Sequence, residues 1–131
     1  MSKWGTETIP AEDRVFRNIN KRYAPDGVPT PDAFDDKDDE PSVCWEKHCP
    51  DPAECRKKMS RNPDVYNLFG VCALNVGQVR SIPLQEVIHK PSKKNRSHSI
   101  IKGEKTERVL LKLCEIANGP IVAVPTDNEV E

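Results

Sequence analysis

The sequence contains few aromatic residues and no long apolar run. Seven of its 131 residues are aromatic and its hydrophobic fraction is 36%, which predicts one domain with a modest core. No run of about 18 apolar residues occurs, so the sequence gives no indication of a transmembrane helix or a membrane partner. The first residues, Met-Ser-Lys-Trp-Gly, lack the apolar core of a secretion signal, so we expect a cytoplasmic protein.

The sequence also lacks a charge excess of either sign. Twenty basic and 21 acidic residues leave a net charge of −1, which excludes a uniformly basic nucleic-acid coat and an acidic disordered tail protein. The charges are nevertheless divided along the chain. Residues 26–54 hold ten acidic and two basic residues, whereas residues 80–112 hold nine basic and three acidic ones. Two opposed charged surfaces of this kind attract each other within the fold or face a partner.

Twelve prolines interrupt regular structure. Prolines and acidic residues concentrate in residues 25–41, which we interpret as an acidic, Pro-rich loop. We expect a flexible N-terminus over residues 1–11, a single domain over residues 12–125 and a frayed acidic tail over residues 126–131.

Hydrophobic periodicity predicts a small α+β domain with about four short strands and two helices on one face. The helices are predicted at Pro52–Met59 and at Thr106–Ala117, with a left-handed stop at residues 118–119. The near-continuous apolar run 65–76 is typical of a strand buried on both faces. Other extended segments are 42–45, 84–89, 97–102 and 120–124, and the ambiguous segment 11–23 favours a strand slightly over a helix.

A basic segment over residues 90–105 is the candidate binding site. Lysine offers phosphate oxygens a charge, arginine offers fork-shaped donors, and alternation along a strand would place a histidine beside this cationic loop. No aromatic residue lies in the segment, so the stacking platform of a single-strand binder is missing, and nucleic acid is only a second candidate partner. The candidate binding residues are Lys93, Lys94, Asn95, Arg96, His98, Lys102 and Lys105.

No catalytic motif accompanies these residues. Residues 103–106 (Gly-Glu-Lys-Thr) depart from a phosphate-binding P-loop, because a glutamate separates glycine from lysine and position 98 is histidine instead of glycine. The helix that follows could still hold an anion at its N-terminal amides. No nucleophile elbow or paired signature accompanies any of the three histidines, so the prediction names no catalytic residue.

The sequence has five cysteines, which is an odd number, and we expect them to be reduced thiols that form no disulfide framework. Two of them, Cys72 and Cys114, lie in apolar patterns and are predicted core thiols. The other three stand near a histidine, and a zinc site would use Cys44, His48, Cys49 and Cys55. Because His48 and Cys49 are adjacent and prolines follow, joint ligation is awkward, and we expect no cofactor.

Several segments in order resemble a family of small, uncharacterised bacterial proteins of about this length. They are residues 14–19 (Arg-Val-Phe-Arg-Asn-Ile), 26–27, 32–34, 42–45 (Ser-Val-Cys-Trp), 89–91 (His-Lys-Pro), 95–99 (Asn-Arg-Ser-His-Ser) and 103–106. The family pattern has His-Pro, an aspartate before the tryptophan and Gly-Lys-Lys-Thr where this chain has Asn20-Lys21, Cys44 and Gly-Glu-Lys-Thr. The resemblance covers residues 12–117. It implies a single compact domain and no particular activity, and it directs attention to Asn95, His98 and Lys105.

A looser likeness concerns enzymes that transfer ADP-ribose. An early arginine on a strand, a later Ser/Ala-Phe segment and a histidine strand are similar to that group. The sequence does not locate the late glutamate of the transferase pattern.

Two functional hypotheses follow. The first is a non-enzymatic adaptor or accessory subunit that binds a larger protein or a ribonucleoprotein through its opposed charged surfaces. The second is an anion- or nucleotide-binding protein or enzyme centred on Arg96, His98, Lys102 and Lys105, with Arg17 as a further candidate. The adaptor is preferred because no catalytic signature is found.

Overall fold

One six-stranded antiparallel sheet carries the fold in the computed structural model, which describes residues 4–24, 29–36, 38–59 and 69–122. The strands are β1 (Arg14–Asn20), β2 (Ser42–Trp45), β3 (Phe69–Asn75), β4 (Glu86–His89), β5 (His98–Lys102) and β6 (Asn118–Val122). The helices are α1 (Pro52–Met59), α2 (Val76–Arg80) and α3 (Glu107–Ile116), with 3₁₀ turns at Lys21–Tyr23 and Pro31–Phe34. The strand order is β4-β5-β2-β1-β3-β6.

The predicted α+β class is confirmed, and the sheet has six strands where about four were expected. The ambiguous segment 11–23 contains β1, which pairs with β3 over its whole length. The C-terminal extended segment contributes β6, which pairs with the other edge of β3. Neither segment has a clear hydrophobic period of its own. Both form strands because they pair with the strongly apolar β3.

The two predicted helices exist, but they lie against opposite faces of the sheet and not on one face. Adjacent residues of a strand point to opposite faces. On β1, Phe16 packs in one buried cluster with Cys55 of α1, whereas Val15 packs in another with Leu113 of α3. The core therefore has two layers, and the larger one lies under α3.

The central strand β3 is buried on both faces, as predicted for the apolar run. Its side chains alternate between the two clusters: Val71 and Ala73 belong to one, Cys72 and Leu74 to the other. The run does not continue as a strand to residue 76, because the Asn75 side chain accepts a hydrogen bond from the Gln78 amide and caps α2. Residues 65–68 lie outside the described residues.

Helix α3 begins where its sequence predicts and ends differently. Thr106 caps it by accepting from the Val109 amide. At its end Ala117 is extended, with φ −67° and ψ 127°, so the predicted left-handed stop at residues 118–119 is wrong. The chain leaves the helix straight into β6, whose pairing with β3 replaces a turn.

Two segments predicted as loose contribute to the core. Ile9, in the N-terminal segment that was expected to be flexible, is buried, and its carbonyl accepts from the Arg80 guanidinium at 2.7 Å. Within the acidic loop, Ala33 and Phe34 are buried in the 3₁₀ turn. The predicted frayed tail, residues 126–131, lies outside the described residues.

Among the described residues, no helix has the length and apolar character needed to span a membrane.

Candidate functional site

Lys105, a predicted anion-binding residue, is buried instead. Its ammonium group donates to the carbonyls of Asp39 at 3.0 Å, Ile101 at 2.9 Å and Gly103. Burial lowers the pKa of Lys105, while Asp39 acts in the opposite direction. These three bonds use all three ammonium protons, so the residue joins the acidic loop to β5 and has no proton left to offer an anion.

Arg17 is likewise an internal residue. Its guanidinium donates to the Ala33 carbonyl through Nε at 3.2 Å and to the Ser42 carbonyl through Nη1 at 2.9 Å. Burial lowers the pKa of Arg17. The side chain holds the 3₁₀ turn and the start of β2 against β1, which is a structural role.

Asn95 and His98 are also held by the protein itself. The Asn95 side-chain oxygen accepts from the Ser97 amide at 3.0 Å and shapes the turn before β5. The His98 ring bonds to the Lys90 carbonyl through Nδ1 at 2.7 Å and to the Ser42 hydroxyl through Nε2 at 3.0 Å. Because a carbonyl only accepts, Nδ1 carries the proton in this arrangement, and both ring nitrogens are engaged.

The remaining predicted residues are exposed cations, and the structure does not gather them at one place. Lys93, Lys94 and Arg96 lie in the loop between β4 and β5. Lys102 lies at the far end of β5, opposite Glu86. With a rise of about 3.3 Å per residue along a strand, this separates Lys102 from the loop by more than about 13 Å.

The strand order brings a different group of residues to the loop end of the sheet. β2 and β4 are both antiparallel to β5, so they run parallel to each other and their carboxyl ends meet at the same edge. β2 ends at Trp45 and β4 ends at His89. The Trp45 amide donates to the Ser97 carbonyl at 2.8 Å, and the turn that follows presents Lys47 and His48.

Glu7 reaches this end of the sheet from the N-terminal segment. Its carboxylate accepts from Nε2 of His48 at 2.6 Å and from the Lys47 ammonium, and Nη2 of Arg96 lies 3.9 Å from it. The hydrogen bonds from Lys47 and His48 lower the pKa of Glu7 to about 2. The carboxylate is therefore ionised at neutral pH.

His89 completes the group and is fully buried. Its Nε2 donates to the Arg96 carbonyl at 2.6 Å, and its Nδ1 accepts from the main-chain amide of Glu7 at 3.0 Å. The two bonds define one neutral tautomer, because a carbonyl accepts and an amide donates. The lone pair of Nδ1 thus faces Glu7.

Trp45 forms the wall behind these side chains. Its ring centroid lies 5.1 Å from those of His48 and His89, in edge-to-face arrangements. Its indole N–H donates to the Asp13 carboxylate at 2.9 Å. The side chain is buried and fixed in position, so it limits where both imidazoles can lie.

We name Glu7, His48 and His89 the histidine cluster. One carboxylate oxygen and one nitrogen from each ring lie within 4.8 Å of one another. The residues come from the N-terminal segment, a turn and a strand end, and His48 and His89 follow Glu7 by 41 and 82 positions. No local spacing in the sequence could have signalled this cluster, because strand pairing brings its members together.

The predicted cysteine–histidine set assembles only in part: Cys44 interacts with both Cys49 and Cys55, but His48 lies apart from them. Cys44, Cys49 and Cys55 are buried in the core layer under α1, whereas His48 contacts Glu7. For Cys44, a hydrogen bond from Cys49 acts to lower the pKa, but interaction with Cys55 and burial raise it to about 12. A protonated thiol in an apolar layer is a packing residue. Of the two predicted core thiols, Cys72 is fully buried and Cys114 partly buried.

Comparisons with protein-family models, with curated proteins and with solved structures found no match to this chain. The resemblance to a bacterial family therefore stays a prediction.

Proposed function

We propose that this protein is a non-enzymatic adaptor that binds an acidic surface of a partner protein through the loop end of its sheet. We name this surface the basic end. It is made by the exposed cations Lys47, Lys90, Lys93, Lys94 and Arg96.

One observation carries the proposal. The residues of the basic segment that could do chemistry, namely Asn95, His98 and Lys105, are held by internal hydrogen bonds. The exposed groups of the same segment are lysines and an arginine on a loop. Outward cations spread along a loop suit contact with an extended acidic surface better than capture of a small anion.

Contacts within the chain support carboxylates as the partners of these cations. Lys90 lies 3.5 Å from Glu40, and Lys47 and Arg96 face Glu7. Lys93 and Lys94 form no ion pair with any residue that the structure describes. Within the basic end, these two lysines are therefore the cations that no carboxylate of the described residues neutralises.

The lack of exposed aromatic side chains among the described residues favours a protein partner over nucleic acid. None of the aromatic side chains that the structure describes is exposed, so bases have no platform on which to stack. Lysines contribute point charges and little base discrimination. Nucleic acid remains an outcome that the experiment can reveal.

The test is capture of partners from native cell extract on immobilised protein, with paired charge reversals. We expect Lys93→Glu with Lys94→Glu to abolish capture of a specific protein. The matched control, Arg108→Glu with Lys112→Glu on α3, makes the same change in net charge on exposed positions elsewhere and should leave capture intact. Because exposed charges are screened over about 8 Å at physiological ionic strength, high salt should also release the partner.

The outcomes separate the alternatives. Loss of the partner after nuclease treatment would replace the acidic protein with a nucleic acid. Equal loss of capture in both double variants would show that binding depends only on net charge, and would overturn the proposal that the basic end binds the partner specifically. A specific partner that survives both high salt and the loop reversal would overturn the charged-surface account altogether.

A further inference from the structure

The arrangement around the histidine cluster has the features of a metal site with two imidazoles and one carboxylate. Two histidines and one glutamate are the protein ligands of one class of zinc centre, in which a fourth position stays open. Here the three side chains converge from separate segments and are at most partly exposed, with 11% of the His48 side chain and 29% of the Glu7 side chain accessible. Such a convergence at a strand end differs from an exposed acidic patch.

The hydrogen bonds that hold the side chains of the histidine cluster also support a metal site. A ligating histidine usually donates its other ring N–H to a carbonyl or carboxylate, which orients the ring and directs the free lone pair to the metal. His89 donates in this way to the Arg96 carbonyl at 2.6 Å, and its Nδ1 lone pair faces the main-chain amide of Glu7. The Lys47 ammonium likewise binds Oε1 of the Glu7 carboxylate, the oxygen that does not contact His48, and positions the group.

We propose that Glu7, His48 and His89 bind one Zn²⁺ ion through a carboxylate oxygen, Nε2 of His48 and Nδ1 of His89. This site is independent of the proposed adaptor function. It also differs from the cysteine set that the sequence suggested, with which it shares only His48.

The geometry requires small rearrangements. Zinc bound at about 2.0–2.2 Å from each ligand holds tetrahedral ligand atoms about 3.3 Å apart. A carboxylate oxygen and one nitrogen of each ring now lie within 4.8 Å of one another, so the widest separation closes by at most about 1.5 Å, while the 2.6 Å between Nε2 of His48 and the Glu7 carboxylate opens by about 0.7 Å. The ion would replace the 2.6 Å bond between His48 and Glu7 and the 3.0 Å bond from the Glu7 amide to His89. The proton on Nε2 of His48 would move to Nδ1 of the same ring, which frees the Nε2 lone pair for the metal.

The ligand types favour zinc over harder ions. Imidazole suits zinc, copper, iron and nickel, whereas magnesium and calcium prefer oxygen ligands. A single carboxylate next to Lys47 and Arg96 also offers too little negative charge for an oxygen-preferring ion. Three protein ligands would leave a coordination position for water or for a group from a partner.

The test is titration of the full chain, first freed of metal with a chelator, with Zn²⁺ alone. We expect one ion per chain and a rise in Tm on binding. Glu7→Gln and His48→Gln should weaken binding at least tenfold. His98→Gln is the matched control, since it removes a histidine outside the cluster and should leave affinity unchanged. The two test positions are partly exposed, so these variants are expected to fold.

Two spectroscopic measurements identify the ligands directly. In ¹⁵N spectra of the imidazoles, Zn²⁺ should shift Nδ1 of His89 and Nε2 of His48 and leave the His98 nitrogens in place. With Co²⁺ as a substitute, nitrogen and oxygen ligation gives weak visible bands without the intense ultraviolet charge-transfer band of a thiolate.

The proposal can fail in distinct ways. A thiolate band, with binding lost in Cys49→Ser and kept in His48→Gln, would place the ion at the buried cysteines and overturn it. Equal weakening by His98→Gln would show only non-specific imidazole binding. Absence of stoichiometric binding in the unaltered chain would overturn it outright. None of these results bears on capture of a partner by Lys93 and Lys94.

Discussion

The Glu7 carboxylate accepts a 2.6 Å hydrogen bond from Nε2 of His48, while the main-chain amide of Glu7 donates to Nδ1 of His89. One residue of the N-terminal segment thus contacts two histidines that lie far apart in the chain. The contact closes the loop end of the sheet, beneath the cations of the basic end. The stability of this region should accordingly depend on Glu7.

Acid should weaken the contribution of Glu7. Its pKa is lowered to about 2 from an ordinary value of 4.5, so the carboxylate stabilises the fold above the higher value and that contribution is lost as pH falls towards the lower one. We expect Glu7→Gln to unfold at lower urea concentration than the unaltered chain at pH about 6, the difference to shrink as pH falls below about 4.5, and the two midpoints to converge only below pH about 2. A midpoint difference that does not change with pH would contradict this account.

Lys105 should be a strong determinant of stability although lysine is usually a surface residue. Lys105→Met removes the ammonium from three carbonyls and leaves them buried without a donor, which should cost about 2–4 kcal/mol of unfolding free energy. Lys102→Met is the control, because Lys102 is exposed at the end of β5, three positions before Lys105, and its loss should change stability by less than about 0.5 kcal/mol. Urea unfolding of both variants gives the comparison. Similar small effects would mean that the carbonyl contacts contribute nothing net.

Gly103 cannot be replaced without strain, because it has φ +132° and a Cβ there would lie 2.2 Å from the Leu84 carbonyl oxygen. We expect Gly103→Ala to lower the free energy of unfolding by on the order of 3 kcal/mol.

Leu84, whose carbonyl oxygen faces Gly103, has φ +67° and an 87% exposed side chain. Leu84→Gly should therefore raise Tm by relieving about 1 kcal/mol of left-handed strain. If Leu84→Gly lowers Tm, the exposed side chain makes contacts that outweigh the strain.

The thiols should react slowly in the folded protein. Burial raises the pKa of Cys72 to about 12 and the pKa of Cys114 above its ordinary value, and only the thiolate reacts. We expect a thiol reagent at neutral pH to modify at most Cys114 rapidly, since it is the one partly exposed cysteine, and to modify all five after denaturation. Rapid native reaction of Cys44 or Cys49 would contradict the buried cysteine layer.

Several elements follow from local sequence. Helix α3 has a threonine cap and apolar residues at intervals of three and four, so its existence needs no knowledge of its neighbours. Strand β3 has apolar side chains on both faces, which is a pattern that only burial on both sides supports. Local signals of this kind also located β2, β4 and β5 to within two residues.

The candidate site lies beyond such signals. Lys105 looks like an exposed cation in the sequence, yet the approach of the acidic loop to β5 surrounds its ammonium with carbonyls. His48 looks like a companion of the cysteines because it is adjacent to Cys49. In the fold it contacts Glu7 instead, since the turn after β2 directs neighbouring side chains to different sides.

The sequence by itself determined the α+β class, the two longer helices, the apolar central strand and the division of charge, because each depends on residues within one turn or one strand of each other. The tertiary structure alone decided which charged residues are buried, that the helices cover opposite faces, and that Glu7, His48 and His89 meet. Those outcomes depend on strand order. Strand order results from pairing between strands that are distant in the chain, and no local sequence pattern specifies which strands pair.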